Sequence, residues 1–425
     1  MREALASLTV RGRAFLAGGL MAVVCAILLD QQGLVRVGAL VVALPLLCAA
    51  FLGRSHFRLA LEREVTPRLV AAGQPARVTL TLTNEGRAPT GVLLLEDQVP
   101  YALGARPRFV LEGIGQGWRR QVTYQLRADL RGHYEIGPMT IRITDPFGLV
   151  ELGRAFHTSA PLTITPRTVP LPDIGLGGAW TGSGDNRPRS FATGSAEDVT
   201  VREYRQGDDL RRVHWRSSAR LGELMVRREE QPWQSRATVV LDNRDGSHRG
   251  KGAASSLEEA VTAAASIAVH LTRRGFMVRL VTAAGEEPTT AWHFRDPEAN
   301  TGPLLEALSV VDLDRRPSMD TSWLGEAGQG GVLVMVSGAL TSHDRGYLNR
   351  LQHQGSAPMA IALDVDAWAP GRTRTSPPAA ALLSAAGWRT AQLGPGGRLD
   401  AAWQELGRAA VRTHGRDRRD VRATP

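Results

Sequence analysis

Two stretches near the start of the chain hold only apolar and small residues and are long enough to form helices. They cover residues 14–29 and 37–52, and a polar segment that begins at Asp30 separates them. Each stretch is slightly shorter than the ~20 residues with which a perpendicular helix crosses a bilayer. Flanking side chains such as Arg13 extend each crossing by reaching toward the headgroups. The pattern predicts a transmembrane helical hairpin over residues 1–58.

Arginines flank this hairpin at both of its outer ends. Those before and after the two apolar stretches are Arg2, Arg11, Arg13, Arg54, Arg58 and Arg63. Because positive charge favours the cytoplasmic side, we expect a multi-pass protein of the cell membrane whose soluble part is cytoplasmic. A secretory signal peptide is one alternative, but no small-residue cleavage pattern follows Leu29 and a second apolar stretch comes at once. A hairpin buried in a protein core is the other alternative.

The hydrophobic period changes to two after the hairpin, which is typical of β-strands. Val78, Leu80 and Leu82 fall on one strand face, and a turn begins at Asn84. Further candidate strands, punctuated by Gly and Pro, cover residues 92–95, 121–126 and 140–144. A Pro-initiated turn from Asp145 closes the segment. The spacing predicts an Ig-like antiparallel β-sandwich over residues 59–168.

A second change of pattern separates a C-terminal α/β region, residues 237–410, from what precedes it. Short apolar runs alternate with helical stretches such as 257–273, as expected of a doubly wound parallel sheet. The candidate strands are 238–241, 277–281, 332–336, 359–363 and 389–393. Ligands of such sheets bind beyond the carboxyl ends of the strands, which points to the loop that begins at Asp242. Residues 411–425 are basic and are predicted to be disordered.

Composition limits the chemistry of the chain. Hydrophobic residues make up 43% of it but aromatic residues only 5%, so the cores must consist mainly of Ala, Val and Leu. The net charge of +9 suits nucleic acid or an anionic membrane surface, but the basic residues are almost all Arg, with Lys251 the only lysine. This bias lowers the weight of any single arginine as evidence of function. Cys25 and Cys48 lie inside the apolar stretches, where they are predicted to pack in lipid rather than form disulfides or bind metal.

Residues 169–236 combine a linker with a dense block of charged and aromatic side chains. As an active site the block offers Glu203, Asp208 and His214 as acids or bases, yet it has no nucleophile at a telling spacing and no phosphate-binding glycine loop. As a nucleic-acid surface it has arginines and aromatic rings, diluted by acids. The interpretation that needs the fewest assumptions is an ion-pair network or a protein contact surface on a helix capped by Asp208.

The same block resembles the signature of the domain of unknown function 58 family. The matching residues are Arg202, Glu203, Tyr204, Gly207, Asp208, Asp209, Arg211, His214, Trp215, Ser218, Ala219, Arg220, Gly222, Leu224 and Arg227. The segment from Arg131 to Tyr134, the pair Gly137 and Pro138, and the turn from Asp145 to Gly148 resemble the usual lead-in of this family. The resemblance covers most of the chain.

The resemblance implies a membrane-attached protein with a von Willebrand factor A-like C-terminal domain and no established activity. Such proteins are often encoded near a MoxR-type AAA ATPase and transglutaminase-like membrane proteins. A von Willebrand A domain holds a divalent cation through an Asp-x-Ser-x-Ser pattern. Here Asp242 is followed by Arg244 and Gly246, and Ser247 is one place out of register. We therefore expect this site to be degenerate, with no metal and no cofactor.

Together these observations predict a non-enzymatic, membrane-anchored adaptor or assembly factor without a catalytic residue. Its partners would be the lipid bilayer, a MoxR-type AAA ATPase and a transglutaminase-like membrane protein, but not nucleic acid. The contact surface would be the signature block, from Arg202 to Arg220. The alternative is a cell-envelope hydrolase that uses Glu203, Asp208 and His214. The sequence leaves the oligomeric state open.

Overall fold

A computed structural model gives the fold of the chain. It describes residues 7–54, 59–86, 92–111, 117–176, 200–204, 215–228, 236–287, 301–324, 331–353, 358–369 and 378–408. The chain forms two compact units, Met1–Arg167 and Thr168–Pro425.

The first unit begins with two antiparallel apolar helices, α1 (Val10–Leu28) and α2 (Gln32–Arg54). Within the described residues these two helices are long and apolar enough to cross a membrane, with mean hydropathies of 1.6 and 2.3. Helix α1 begins before the first apolar stretch and α2 extends past both ends of the second. Asp30, in the short connection between them, has a positive φ of 50°. The two predicted apolar helices are therefore confirmed.

Glycines allow the two helices to approach closely. A Cβ atom at Gly19 would lie 3.0 Å from the backbone nitrogen of Val42, and one at Gly38 would lie 3.0 Å from that of Val23. Small residues at such contacts let helix backbones pack tightly in an apolar environment. Larger side chains at these two positions would force the helices apart.

Antiparallel pairing dominates the rest of the first unit. Its strands are β1 (Leu59–Thr66), β2 (Leu69–Ala71), β3 (Pro75–Asn84), β4 (Val92–Asp97), β5 (Arg108–Leu111), β6 (Arg119–Arg127), β7 (Gly132–Ile136), β8 (Met139–Thr144), β9 (Glu151–Phe156) and β10 (Ala160–Thr165). They form sheets in the orders β1-β3-β6, β2-β10-β7 and β5-β4-β8-β9, and β2 and β10 pair in parallel. Strands β3, β4, β6 and β8 are the four that the sequence predicts.

One hydrophobic core joins the three sheets to the ends of the helical hairpin. Alternate residues of β3 are buried, including Val78, Leu80 and Leu82, as the period of two predicts. Leu8 and Leu52, from the two outer ends of the hairpin, lie in the same core. Cys48 is partly buried and packs against this core on one side of its helix, while Leu47 and Phe51 beside it are exposed.

The second unit contains a mostly parallel sheet. Its strands are β13 (Arg236–Leu241), β14 (Met277–Thr282), β15 (Gly285–Glu286), β16 (Val332–Ser337), β17 (Met359–Leu363) and β18 (Arg389–Leu393), in the order β15-β14-β13-β16-β17-β18. The helices are α4 (Ser256–Arg273), α5 (Thr301–Val310), α6 (Arg345–Gln352), α7 (Ala379–Ala385) and α8 (399–408). Every strand and helix that the sequence predicts in this region is present.

Two further segments belong to this unit. Residues 168–176 lie along the α/β core, where the indole nitrogen of Trp403 donates to the carbonyl of Pro172 at 3.0 Å. A hairpin of β11 (Thr200–Glu203) and β12 (Met225–Arg228) encloses a short helix, α3 (Trp215–Leu221).

Candidate functional site

Asp242 occupies the position in the sheet where ligands of doubly wound folds bind. It follows β13 directly, and its backbone nitrogen donates to the carbonyl of Val336 on β16 at 2.9 Å. Numbered along the chain within this sheet, the strand order is 3-2-1-4-5-6, so β13 and β16 border the point where the order reverses. The crevice at that point, outside the carboxyl ends of the strands, is the usual ligand site.

The guanidinium of Arg244 binds both carboxylate oxygens of Asp242. Its Nε donates to Oδ1 at 2.9 Å and its Nη2 donates to Oδ2 at 2.8 Å. The backbone nitrogen of Arg244 also donates to Oδ1, at 3.1 Å. Both side chains are buried, so this is a desolvated bidentate pair with the geometry that arginine and carboxylate favour.

A second carboxylate, from Asp344, closes the cluster from the other side. Arg244 Nη1 donates to Asp344 Oδ1 at 2.7 Å and to the carbonyl of Pro317 at 3.1 Å. The other oxygen of Asp344 accepts from the backbone and the hydroxyl of Thr341, in a capping box that precedes α6. The guanidinium of Arg244 thus lies between two buried carboxylates that are about a hundred residues apart in the chain.

The loop after Asp242 is fixed by further polar contacts. Ser247 Oγ donates to Asp242 Oδ2 at 3.1 Å, although it is out of register with the metal-binding pattern. The ring of His248 contacts the carbonyl of Asp242 at 2.6 Å and the hydroxyl of Ser256 at 3.0 Å. Gly338 makes this packing possible, because a Cβ there would lie 1.9 Å from the carbonyl of Ser247.

Burial and neighbouring charge set the protonation of the cluster. Burial disfavours the charged form of Arg244, but the hydrogen bonds and charges of Asp242 and Asp344 outweigh it and raise the pKa of the guanidinium. Burial lowers the pKa of His248 below its ordinary value of 6.5, and the charges of Arg249 and Arg244 act in the same direction. His248 is therefore neutral at pH 7, while Arg244 carries the positive charge.

Chemically, the Asp242 carboxylate has the guanidinium of Arg244 as its counter-ion, so the chain itself supplies the positive charge. Within the ranges that the structure describes, no group of three or more His, Cys, Asp or Glu side chains could hold a metal ion. The sequence predicts Arg244 as a charge beside a degenerate site, and the structure places it directly on Asp242. Asp344 was missed, because a distant carboxylate before a helix gives no local signal.

The described part of the signature block is small. The Tyr204 backbone nitrogen donates to Leu224 O at 2.7 Å, and Ser218 Oγ accepts from the backbone nitrogen of Met225 at 2.9 Å. On α3, Trp215 is 70% exposed, and Ala219 and Arg220 are also exposed. Arg202 and Glu203 are described as strand backbone only. The remaining predicted residues, Gly207, Asp208, Asp209, Arg211 and His214, lie outside the described residues, as does the predicted helix cap at Asp208.

The first unit has a buried polar cluster of its own. Arg63 on β1 donates through Nη2 to Asp97 Oδ1 at 2.6 Å, and the hydroxyl of Tyr124 on β6 donates to Asp97 Oδ2 at 2.6 Å. Arg63 also donates to the carbonyls of Ile136 and Thr158. The cluster connects strands of different sheets inside the shared core.

Comparison with known proteins confirms the family resemblance. The profile described as "Protein of unknown function DUF58" matches residues 200–311 of this chain. That segment contains the β11/β12 hairpin, α3 and the Asp242 loop. The uncharacterized protein YeaD of Bacillus subtilis (strain 168) is 23% identical over 293 residues, which are 66% of this chain and 70% of that protein. Residues 200–311 thus resemble the DUF58 family, whose function is unknown.

Solved structures give only weak likenesses. The CARDB domain of the PF1109 protein from Pyrococcus furiosus is 14% identical and covers 25% of this chain and 93% of its own, with a TM-score of 0.20. The complex of human zinc 2-glycoprotein with prolactin inducible protein is 10% identical and covers 26% and 98%, with a TM-score of 0.21. Similarities at this level carry no inference about fold or function.

Proposed function

We propose that this protein is a membrane-anchored, non-enzymatic adaptor or assembly factor that binds protein partners at the cytoplasmic face. In this proposal the sheets of the first unit form an Ig-like sandwich and the second unit is a von Willebrand A-like domain that works without a metal ion. The order 3-2-1-4-5-6, with an antiparallel strand β15 at its edge, supports the second assignment.

The observation that carries the proposal is the occupied carboxylate at the ligand crevice. Both oxygens of Asp242 already bind Arg244, so a cation would have to displace a buried, bidentate guanidinium. Displacing the guanidinium would also leave the Asp344 carboxylate without its positively charged partner. With Asp242 and Asp344 both bound to Arg244, this cluster is suited to presenting a fixed surface.

The apolar hairpin supports the membrane anchor. Its two candidate spans, Val10–Leu28 and Gln32–Leu52, have 19 and 21 residues and suit a bilayer core of about 30 Å. Many of their large apolar side chains are exposed, including Leu20 and Leu40, which is expected of side chains that face lipid. The outer ends of both helices join the same sandwich core, so both lie on one side of the membrane, and the flanking arginines favour the cytoplasmic side.

A MoxR-type AAA ATPase is the partner we propose, on the basis of the family resemblance. The exposed indole of Trp215 and the exposed guanidinium of Arg220 lie on α3 within the matched segment. Aromatic and arginine side chains are the residues that most often dominate binding energy at protein interfaces. Neither Asp208 nor His214 has a described side chain, so no observed geometry favours the hydrolase alternative.

Co-purification from detergent-solubilised membranes tests this partner. The full-length chain and a purified MoxR-type ATPase from the same genome are mixed, and the captured ATPase is quantified. We expect Trp215→Ala to reduce capture at least about tenfold, the loss typical of an interface hot spot. Tyr101→Ala, at a fully exposed aromatic of the other unit, serves as the matched control and should leave capture unchanged.

Two outcomes would contradict the proposal. Absence of capture by the native chain would remove the ATPase as partner. Equal capture by the native and Trp215→Ala chains, with circular dichroism showing intact folding, would remove α3 as the contact surface. Turnover of a cell-wall substrate that is lost on His214→Ala would instead establish the hydrolase.

A further inference from the structure

The chain enters its first helix directly from the β-sheet unit, without a linker. Leu8 forms an isolated antiparallel bridge with Val150, and the backbone nitrogen of Glu151 donates to the carbonyl of Ser7 at 2.8 Å. The next residue, Thr9, donates its backbone hydrogen to Leu149 O at 3.0 Å and caps α1. The start of the apolar helix is therefore fixed to the segment that follows β8.

The turn from Asp145 to Leu149 packs against the first turn of α1. Thr9 Oγ1 donates to the carbonyl of Gly148 at 2.7 Å. Gly12 lies so close that a Cβ there would be 2.1 Å from the carbonyl oxygen of Leu149. Any surface next to the first turn of α1 is thus next to this turn as well.

The turn holds an aromatic side chain away from the core. Buried Asp145 accepts from the backbone nitrogens of Val150 at 2.6 Å and Phe147 at 3.0 Å, which fixes the turn from inside. Phe147 itself is 61% exposed. An exposed phenyl ring does not gain the free energy that burial of apolar surface provides. The ring gains it only in contact with an apolar environment.

A second exposed apolar residue lies at the same end of the sheet. Val92, at the start of β4, pairs with Thr144, the last residue of β8 before the turn, and it is 47% exposed. Tyr101 follows the opposite end of β4, where Asp97 pairs with Met139, and it is 98% exposed. The two ends of this strand are about 17 Å apart.

Positive charge accompanies these apolar side chains. Arg11 and Arg13 are exposed on the first turn of α1. An Nη atom of Arg11 lies 3.8 Å from the position of a Cβ at Gly148, so this guanidinium is beside the turn. Aromatic rings together with arginines at the level where an apolar helix begins are the composition of a membrane–water interface.

We infer that the Asp145–Leu149 turn is a membrane contact, in which Phe147 and Val92 insert at the headgroup level while Arg11 and Arg13 bind anionic headgroups. The inference rests on the proposed membrane anchor, because it places lipid around α1 just beyond Thr9. It gives the exposed ring an environment that is continuous with the apolar surface of the hairpin. The sheet unit then rests on the bilayer instead of extending away from it.

Depth-dependent fluorescence quenching tests the inference. The full-length chain, carrying Cys25→Ala and Cys48→Ala, receives one new cysteine at a time and an environment-sensitive fluorophore on it. The sites are Phe147→Cys and its matched control Tyr101→Cys, with Leu40→Cys on α2 as the reporter for the hairpin. Each labelled chain is reconstituted in vesicles of phosphatidylcholine and phosphatidylglycerol, with a quencher attached to a lipid near its headgroup or deep in its acyl chain.

We expect the headgroup-level quencher to reduce the fluorescence at residue 147 at least about threefold more than that at residue 101, as a ring in the interface requires. Equal, weak quenching at both positions, with strong quenching by the deep lipid at residue 40, would overturn the membrane contact and leave the anchor intact. Absence of quenching at residue 40 would overturn the anchor and this inference with it.

Discussion

Two buried arginine–aspartate clusters, one in each unit, use the same side chains for different purposes. In the first unit Arg63 faces a single acid, Asp97, and Tyr124 satisfies the other carboxylate oxygen. In the second unit Arg244 faces two acids, Asp242 and Asp344. One cluster is balanced in charge, whereas the other has one negative charge more than its arginine supplies.

Position in the sheet explains the difference. The Arg63 cluster lies inside the first unit, where it connects β1, β4 and β6 across sheets. The Arg244 cluster lies at the carboxyl edge of a parallel sheet, at the point where the strand order reverses. An ion pair inside a core holds strands together, whereas a pair at the carboxyl edge of a parallel sheet lies where ligands of such folds bind.

Removing Arg244 should have the largest effect. Arg244→Met leaves two buried carboxylates without their cation, and we expect it to lower the free energy of unfolding by about 5 kcal/mol, the upper end of the range for a broken buried pair. Denaturant unfolding in detergent, followed by circular dichroism, measures the loss. Arg315→Met, at an exposed arginine of the same unit, is the control and should change stability little. A loss below about 1 kcal/mol would show that the pair contributes no more than surface ion pairs do.

Removing Arg63 should have a smaller effect, because only one carboxylate is left behind. We expect Arg63→Met to cost about 3–4 kcal/mol in the same measurement. Adding Asp97→Asn to this variant removes the remaining charge and should recover most of the loss. Adding Asp242→Asn to Arg244→Met should recover only part, since Asp344 stays charged. Equal recovery of stability in both double variants would contradict the description of one acid facing Arg63 and two acids facing Arg244.

Tyr124→Phe sharpens the comparison further, because it removes one hydrogen bond and leaves both charges of its cluster in place. Loss of a hydrogen bond to a buried carboxylate costs about 1.5–3 kcal/mol, and we expect a value near the lower end because Arg63 still binds Asp97. Tyr101→Phe, at an exposed tyrosine, is the matched control and should be neutral. Equal stability of the Tyr124→Phe and native chains would show that Arg63 alone satisfies Asp97.

Much of the fold follows from local pattern. The apolar stretches predict both helices of the hairpin, the period of two predicts β3, β6 and β8, and an apolar run predicts β4. The other strands of the first unit were missed, because pairing with neighbouring strands decides their structure more than local alternation does; they are β1, β2, β5, β7, β9 and β10. The contact of Cys48 with the sheet core was also missed, since a helix that is apolar on all sides does not reveal which side meets protein.

The sequence predicts part of the candidate site, namely Asp242 and Arg244, but not Asp344 and Thr341. Asp242 follows a strongly apolar strand, so its place at the carboxyl edge is predictable, and Arg244 departs from a recognisable pattern. Asp344 and Thr341 come together with them only through the parallel pairing of β13 and β16, which no local window contains. Long-range pairing therefore completes the cluster; the sequence predicts the charge of Arg244 beside Asp242 but not its second partner, Asp344.

The smallest expected effect is a pH dependence in the second unit, to which His248 beside the second cluster contributes. The pKa of His248 is lowered by burial, so the unfolded chain binds its proton first as the pH falls below the ordinary value of 6.5. Stability of this unit should then decrease with falling pH from 6.5 down to the lowered pKa, by at most about 1.4 kcal/mol per pH unit for one proton. Acid thus opposes folding here because burial disfavours a charged imidazole, and Arg249 and Arg244 add to this effect. No histidine belongs to the Arg63–Asp97–Tyr124 cluster.

Unfolding between about pH 7.5 and 5.5, measured for the native chain and for His248→Asn, checks this sign. The amide can still contact the Asp242 carbonyl but takes up no proton, so the variant should show a flatter profile. His353→Asn, at an exposed histidine, should keep the native slope. Part of the slope should survive in His248→Asn, because burial also lowers the pKa of His270. A native profile that rises toward acid would mean that His248 is charged in the folded state, which its burial next to two arginines opposes.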